Sequence, residues 1–234
     1  MKIEFKPIGN KTVLIEWPKV IDPNTNREII EAERIIQLNF HVLLIDTVIT
    51  YHSLTLYFRE SIDVDQIIHK LKQNLLELSP KELTSAKQWK VPVCYELEFA
   101  WDLEELSQLK KCSIEEIIRR HTAPLYHLYF IGFLPGFMYL GGLDKKLVTE
   151  RKASPRLRID KGAVAIAGDQ AGIYPQDSPG GWQIIGKTPI QLFDPHHKTP
   201  SPFSSGDQLK FYSISRKEFE SIAADKDYTR STYA

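Results

Sequence analysis

The stretch Ala167–Pro189, AGDQAGIYPQDSPGGWQIIGKTP, constrains the fold more than any other part of this chain. It contains Gly168, Gly172, Gly180, Gly181 and Gly186, together with Pro175, Pro179 and Pro189. Glycine admits backbone conformations and close approaches that a Cβ forbids, while proline fixes φ and removes a donor. A flexible linker can share this composition, but a linker has no use for Ile166, Ile173, Ile184 and Ile185 around its turns. Tyr174 and Trp182 are interleaved with Gln170, Asp177 and Ser178. The pattern predicts several tight turns between short strands, forming one wall of a pocket.

At 234 residues the chain can bury one large core or two modest ones. Its 30 basic and 30 acidic residues cancel, which argues against a general polyanion binder and so against nucleic acid as a partner. The start, MKIEFKPIGN, is charged where a signal peptide needs an apolar core. No apolar run approaches the roughly 18 residues that span a bilayer. Cys94 and Cys112 are too few and too far apart for a metal knuckle. They fit the reduced thiols of a cytoplasm, with a disulfide between them as the alternative. The expectation is a soluble, cytoplasmic protein with no membrane partner.

Taken in order, residues 3–8 and 12–17 read as two strands about the Gly9-Asn10 turn. Ile29, Ala32, Ile36 and Phe40 recur at spacings of three and four, predicting a helix over 24–40 that Asp22 or Asn24 caps. Strands follow near 42–49 and 53–58, then a second helix over 63–78. The order ββαββα predicts an α+β sandwich. Ser79-Pro80 and a polar connector place a boundary near residue 88, giving an α+β domain over 1–88 and a second domain over 89–234. There, a strand at 90–95 precedes two short helices, the second opened by a capping box at Ser113–Glu116 and ending near His121. Strand-like pieces at 126–133, 163–167, 183–186, 190–193 and 208–214, separated by Gly/Pro turns, predict a β-barrel or sandwich, followed by a helix over 216–223.

Gly181–Thr188 fits the phosphate-loop pattern GxxxxGK[ST], but its interior is apolar and β-prone, and Pro189 and Ile190–Phe193 follow where a helix is required. Lys187 can still face an anion. The aromatic and glycine-rich run from His127 to Leu143 reads as core packing of a bent strand. His121, at a helix end, can act as an acid or base near neutrality or serve as a structural histidine. Arg151, Lys152, Arg156, Arg158 and Lys161 cluster beside Pro155. Arg156, next to the proline, is the candidate anion ligand, and as an exposed charge it is expected to be dispensable to the fold. His196-His197 reads as an exposed turn, and no metal site is expected.

Several motifs carry a resemblance: GFLPGFMYLGGLD (132–144), the Pro155-Arg156 pair, AVAIAGDQAGIYPQDSPGGWQIIGKTP (163–189) and GDQLKFYSI (206–214). SLTLYF, VPVCYELEFAWDLEEL and SIEEIIRRHTAPLY extend it toward the front. By these strings the chain resembles the allophanate-hydrolase subunit 1 family, which contains bacterial 5-oxoprolinase B subunits and the Kip-type inhibitors of sporulation kinases. The resemblance implies a ferredoxin-like α+β domain followed by a mainly-β, cyclophilin-like barrel. It also implies work with partner subunits C and A in an ATP-dependent 5-oxoprolinase, which opens 5-oxo-L-proline to L-glutamate. The alternative it implies is an inhibitor that binds a sensor histidine kinase and blocks its autophosphorylation. Lys187 stands where this family often has arginine, keeping charge but losing bidentate geometry.

Opening a lactam calls for cations, oriented donors for a developing oxyanion, and an acid or base. His121 and Arg156 are therefore the candidate catalytic residues. Gln170, Tyr174, Ser178, Gly180, Gly181, Trp182, Lys187 and Thr188 are the candidates for the wall of a pocket shared with a partner. Without a convincing nucleotide loop, ATP is expected to be held mainly by partner subunits.

Overall fold

Val13 and Ile15 are buried while Thr12, Leu14 and Glu16 are not, and this period of two makes Thr12–Glu16 a half-buried strand. It is β2 of an antiparallel sheet completed by β1 (Glu4–Pro7), β3 (Leu44–Ile49) and β4 (Ser53–Phe58). The computed structural model describes residues 3–76, 86–225 and 228 and divides into two units, Met1–Ser85 and Ala86–Ala234; this sheet belongs to the first. Helices α1 (Pro23–Phe40) and α2 (Val64–Asn74) accompany it. Asp22 caps α1 by accepting from the Thr25 N–H at 2.9 Å, and Asp63 caps α2 by accepting from the Gln66 N–H at 3.1 Å. Ile29, Ala32 and Ile36 of α1 and Leu71 of α2 are fully buried, as are Leu54 and Leu56 of β4. The sheet order β1-β2-β4-β3 inserts β4 between the two strands that α1 connects. That split β-α-β unit is the ferredoxin-like arrangement expected. The predicted end of α2 at Leu78 lies outside the described residues.

The second unit contains a closed barrel of β5 (Gln88–Cys94), β6 (Tyr126–Ile131), β7 (Met138–Gly141), β9 (Ala163–Ala167), β10 (Gln170–Ile173), β12 (Gln183–Lys187) and β13 (Gln208–Ile214). Beside it, β8 (Arg156–Ile159) and β11 (Ser178–Gly180) form a two-stranded sheet. Barrel neighbours run antiparallel except β5 and β13, which pair in parallel from Gln88↔Gln208 to Cys94↔Ile214. Helices α3 (Leu103–Lys110), α4 (Ile114–Thr122) and α5 (Arg216–Ala224) complete the unit. The mainly-β barrel is thus as expected. The segment 190–193, expected as a strand, is irregular instead. Ile190 and Leu192 are buried in the core cluster, so their alternation reflects burial of a loop and not a ladder. Cys94 and Cys112 are both free thiols, which removes the disulfide alternative. Among the described residues no helix is long and apolar enough to cross a membrane.

Strand β9 shows how two cores share one wall. Val164 and Ile166 belong to the barrel's main cluster, with Val91, Leu128, Leu140 and Phe211. Ala163, Ala165 and Ala167 belong to a second cluster on the opposite face, with Phe137, Tyr174, Trp182 and Ile184. Successive side chains of a strand alternate between faces, so all five residues are buried without competing for one space.

The buried Asp207 fixes one edge of the barrel. It accepts from the Lys87 N–H (2.9 Å), the Trp89 indole N–H (2.8 Å) and the Ser204 N–H (3.0 Å). Replacing it with alanine withdraws the acceptor from all three donors while removing little volume. Asp207→Ala is expected to lower the unfolding free energy by about 3 kcal/mol, and Asp207→Asn by less. Chemical denaturation followed by circular dichroism measures this, and a loss below about 1 kcal/mol would show the bonds to be replaced by water.

Candidate functional site

The second cluster forms the back of a cavity of about 410 Å³. Phe137 stands at its centre, edge-on to Tyr174 (5.1 Å), Trp182 (5.5 Å), Tyr139 (5.0 Å) and Phe133 (5.6 Å) between ring centres. Edge-to-face contacts of this kind suit the aromatic quadrupole and leave slots between rings. Two glycines create the room. A Cβ on Gly172 of β10 would lie 2.9 Å from both Phe137 and Trp182, and one on Gly180 of β11 would lie 2.3 Å from the Tyr174 hydroxyl oxygen. Leu134, Arg151, Pro155, Ser178, Pro179 and Gly181 complete the lining. The lining contains no carboxylate.

Phe133 reaches this cavity at a backbone cost. It has φ of +67°, in the left-handed region that a bulky residue seldom occupies, and the residue is 64% exposed. The turn is held by the Gly132 N–H donating to Phe137 O (3.1 Å) and the Phe137 N–H donating to Leu134 O (2.9 Å). The hairpin between β6 and β7 therefore offers an exposed aromatic at the rim.

Both phenol hydroxyls in the cavity stay protonated near neutrality. Burial pushes the Tyr174 phenol up to about 12 and also raises that of Tyr139. Both are neutral phenols at that pH, and that of Tyr174 is already hydrogen-bonded to the Trp182 backbone.

Next to the cavity lies a buried ion cluster. Asp102, just before α3, accepts two hydrogen bonds from Arg156 (2.9 and 2.7 Å), an ion pair from Lys152 Nζ (2.8 Å) and the Ile184 N–H (2.7 Å). Its own N–H donates to Ile184 O at 2.9 Å. Burial alone would raise the Asp102 carboxyl, but Arg156, Lys152 and the Ile184 N–H outweigh it and hold it below the ordinary carboxylate value. Lys152 also donates its backbone N–H to Gly181 O at 2.7 Å. The strap between Arg151 and Pro155 is thereby tied to the stretch that carries Gly181 and Trp182.

The structure brings together five of the residues expected in a pocket wall: Tyr174, Ser178, Gly180, Gly181 and Trp182. Other expected residues lie elsewhere. Gln170 opens β10 opposite Gly141 and Ala167. Lys187 pairs with Asp160 at 3.3 Å and stands over the Phe99 ring, so it is partnered. Thr188 is buried, its N–H donating to Gly162 O at 2.8 Å. None of these three lines the aromatic cavity. The phosphate-loop match is strand β12, paired with β9 and β5.

Two expectations need correction. Arg156 is not a free, exposed cation, because its guanidinium is committed to Asp102 and stands over the Trp101 ring. His121 does not line the aromatic cavity. It is fully buried, with Nδ1 2.7 Å from the Tyr95 hydroxyl and its ring stacked on Phe211 at 4.5 Å. The helix end favours its cation, but burial dominates and lowers its pKa to about 3. Residues the sequence left unassigned complete the site: Phe133, Phe137 and Tyr139, read as packing, and Arg151, passed over within its cluster. The signal for Arg151 was present in the cationic run, but the choice among its members required Asp102. A more polar cleft of about 690 Å³, lined by Glu105, Lys110, Glu150 and Gln183 among others, shares Arg151 with the aromatic cavity.

Residues 3–203 match the family described as Carboxyltransferase domain, subdomain C and D. The chain is 33% identical to the 5-oxoprolinase B subunit of Bacillus subtilis, over 97% of this chain and 99% of that one. It is 35% identical to the 5-oxoprolinase B subunit of Haemophilus influenzae, over 88% of this chain and 95% of that one. The crystal structure of the Kluyveromyces lactis urea amidolyase contains the same fold, with a TM-score of 0.80 at 18% identity, over 99% of this chain and 16% of that longer chain.

Two outcomes follow from the ion cluster and the buried histidine. Arg156→Ala is expected to lower stability by about 2 kcal/mol, since it strips a buried carboxylate of its bidentate partner while Lys152 remains. Urea denaturation reads this, and an unchanged midpoint would show Arg156 to be dispensable. For His121, the folded pKa lies below the ordinary value of 6.5. Above 6.5 neither state binds the proton and nothing is lost. As pH falls from there toward about 3, the unfolded chain takes up a proton that the folded chain refuses, so stability falls by up to about 1.4 kcal/mol per pH unit. The ring resonances of His121 in NMR should stay constant from neutrality down to the acid unfolding transition, and titration near pH 6.5 would contradict its burial.

Proposed function

This chain belongs to the carboxyltransferase-domain family of subdomains C and D, alongside the bacterial 5-oxoprolinase B subunits, and on that premise we propose that it is the B subunit of an ATP-dependent 5-oxoprolinase. In this reading it acts with subunits A and C to open 5-oxo-L-proline to L-glutamate. The observation that carries the reading is the 410 Å³ aromatic cavity, built from the stretch 174–182 and the β6–β7 hairpin. Its size falls in the range of small-molecule sites, and its walls offer flat apolar faces with a few polar groups, as such sites do.

The chemistry divides between this chain and its partners. A lactam is a stable amide, and phosphoryl transfer from ATP to its oxygen makes the ring carbon electrophilic. ADP leaves in that transfer; water then adds to the carbon, the ring C–N bond breaks as the amine takes a proton, and a second water hydrolyses the resulting acyl phosphate to the carboxylate and phosphate. The residues that match a nucleotide loop here are strand β12, so ATP is assigned mainly to the partner subunits. This chain holds the ring between Phe137, Tyr174 and Trp182 and excludes water from its faces. The protonated hydroxyls of Tyr139 and Tyr174 are donors for the oxygen as charge develops on it.

The test is reconstitution with subunits A and C, following glutamate release from 5-oxo-L-proline with and without this chain. Full activity in its absence would reject the reading. A kinase inhibitor would be silent in that assay and would instead lower autophosphorylation of a sensor histidine kinase. Within the active complex, Tyr174→Phe is expected to lower kcat about 100-fold with little change in KM, because the lost donor acts on charge that develops in the transition state. An unchanged kcat would remove Tyr174 from the reaction.

A further inference from the structure

One cation on the strap beside the cavity has no anionic partner among the described residues. Lys152 and Arg156 are held by Asp102, and Arg158 pairs with Asp177 at 2.7 Å. Arg151 is exposed and pairs with no carboxylate among the described residues. Its guanidinium lies 5.9 Å from the centre of the Trp182 ring. A guanidinium over an indole face is held by the ring quadrupole without using its N–H donors, which stay free for a ligand. The charge is felt inside the cavity, where it lowers the phenols of both Tyr139 and Tyr174 against the upward push of burial.

The surroundings make this arrangement selective. With no carboxylate in the lining and only Ser178, Tyr139 and Tyr174 as side-chain hydroxyls, Arg151 is the single formal charge of the cavity. The backbone beside it is held by the next residue along, since Lys152 is anchored through its backbone N–H to Gly181 O and through its ammonium to Asp102. A cavity of flat aromatic walls with one fixed guanidinium complements a small planar ring that carries one carboxylate. Arginine suits this task better than lysine, because its planar fork matches the two oxygens of a carboxylate.

We propose that Arg151 is the specificity-determining residue of this cavity and binds the carboxylate of the lactam substrate. The assignment rests on the 5-oxoprolinase reading and adds to it the residue that separates 5-oxo-L-proline from an uncharged lactam. 2-Pyrrolidinone, the same ring without the carboxylate, is the control ligand. Calorimetric titration of the assembled three-subunit complex should show 5-oxo-L-proline binding at least tenfold more tightly than 2-pyrrolidinone. Arg151→Gln should weaken 5-oxo-L-proline by about 10- to 100-fold, the loss of a charge-assisted pair, and leave 2-pyrrolidinone unchanged. Arg151→Lys should fall between the two. Equal affinity of wild type and Arg151→Gln for 5-oxo-L-proline would overturn the assignment. So would loss of assembly in size-exclusion chromatography with ligand affinity intact, which would place Arg151 in a contact with a partner chain. A wild-type complex that releases no glutamate and binds neither lactam would instead reject the oxoprolinase reading, and the assignment with it.

Discussion

The site depends on one buried carboxylate. Asp102 is 1% exposed and meets groups from three separate parts of the chain: Arg156 on β8, Lys152 on the strap before it, and the backbone of Ile184 on β12. An uncompensated charge at such a depth would cost several kcal/mol, so the three elements cannot drift apart independently. Because Ile184 also accepts from the Asp102 N–H, the start of α3 is locked to the barrel wall by a reciprocal pair of bonds. The strap carrying Arg151 and Pro155 then has little choice of position. Electrostatics buried on one side set the geometry of an apolar cavity on the other.

The cavity exists because small residues are placed where large ones would be expected in a barrel. Ala163, Ala165 and Ala167 on β9, with Gly172 paired opposite Ala165 on β10, give a low floor. Phe137, Tyr174 and Trp182 stand on that floor edge to face. Had the floor been valine or leucine, the rings would have been pushed outward into the space now open. The inner face of the same strand keeps Val164 and Ile166 for the barrel core, so the accommodation costs the core nothing.

Much of this was legible in the sequence where the signal was local. The caps at Asp22 and Ser113 and the apolar spacing of Ile29, Ala32 and Ile36 predict their helices, because capping and helical periodicity act over a few residues. Strands β7, β8, β10 and β11 were hidden because each has only three or four residues, too few to establish a period, and β7, β10 and β11 carry glycine or proline as well. The wall residues Tyr174, Ser178, Gly180, Gly181 and Trp182 were found because glycine and proline beside aromatics mark close approach. The division of labour between Arg151 and Arg156 was not legible, since the carboxylate that decides it lies 54 residues from Arg156 along the chain. His121 misled for the same reason: the helix end is local, but the burial that overrides it comes from Tyr95 and Phe211, far away in sequence.

The parallel pairing of β5 with β13 also bears on how the protein is made. Lys87 and Asp207, at the edge of that pair, are 120 residues apart, and β13 is the stave that stands between β5 and β6. During synthesis the earlier staves emerge first and wait, for the ring cannot shut until Ile214 has left the ribosome. Contacts of such long separation form slowly, and surface that should be buried stays open meanwhile. The rings destined for the cavity, Phe137, Tyr174 and Trp182, are all synthesised before that last strand. The nascent chain thus displays its adhesive aromatic patch to the cell before it has a barrel to mount it on.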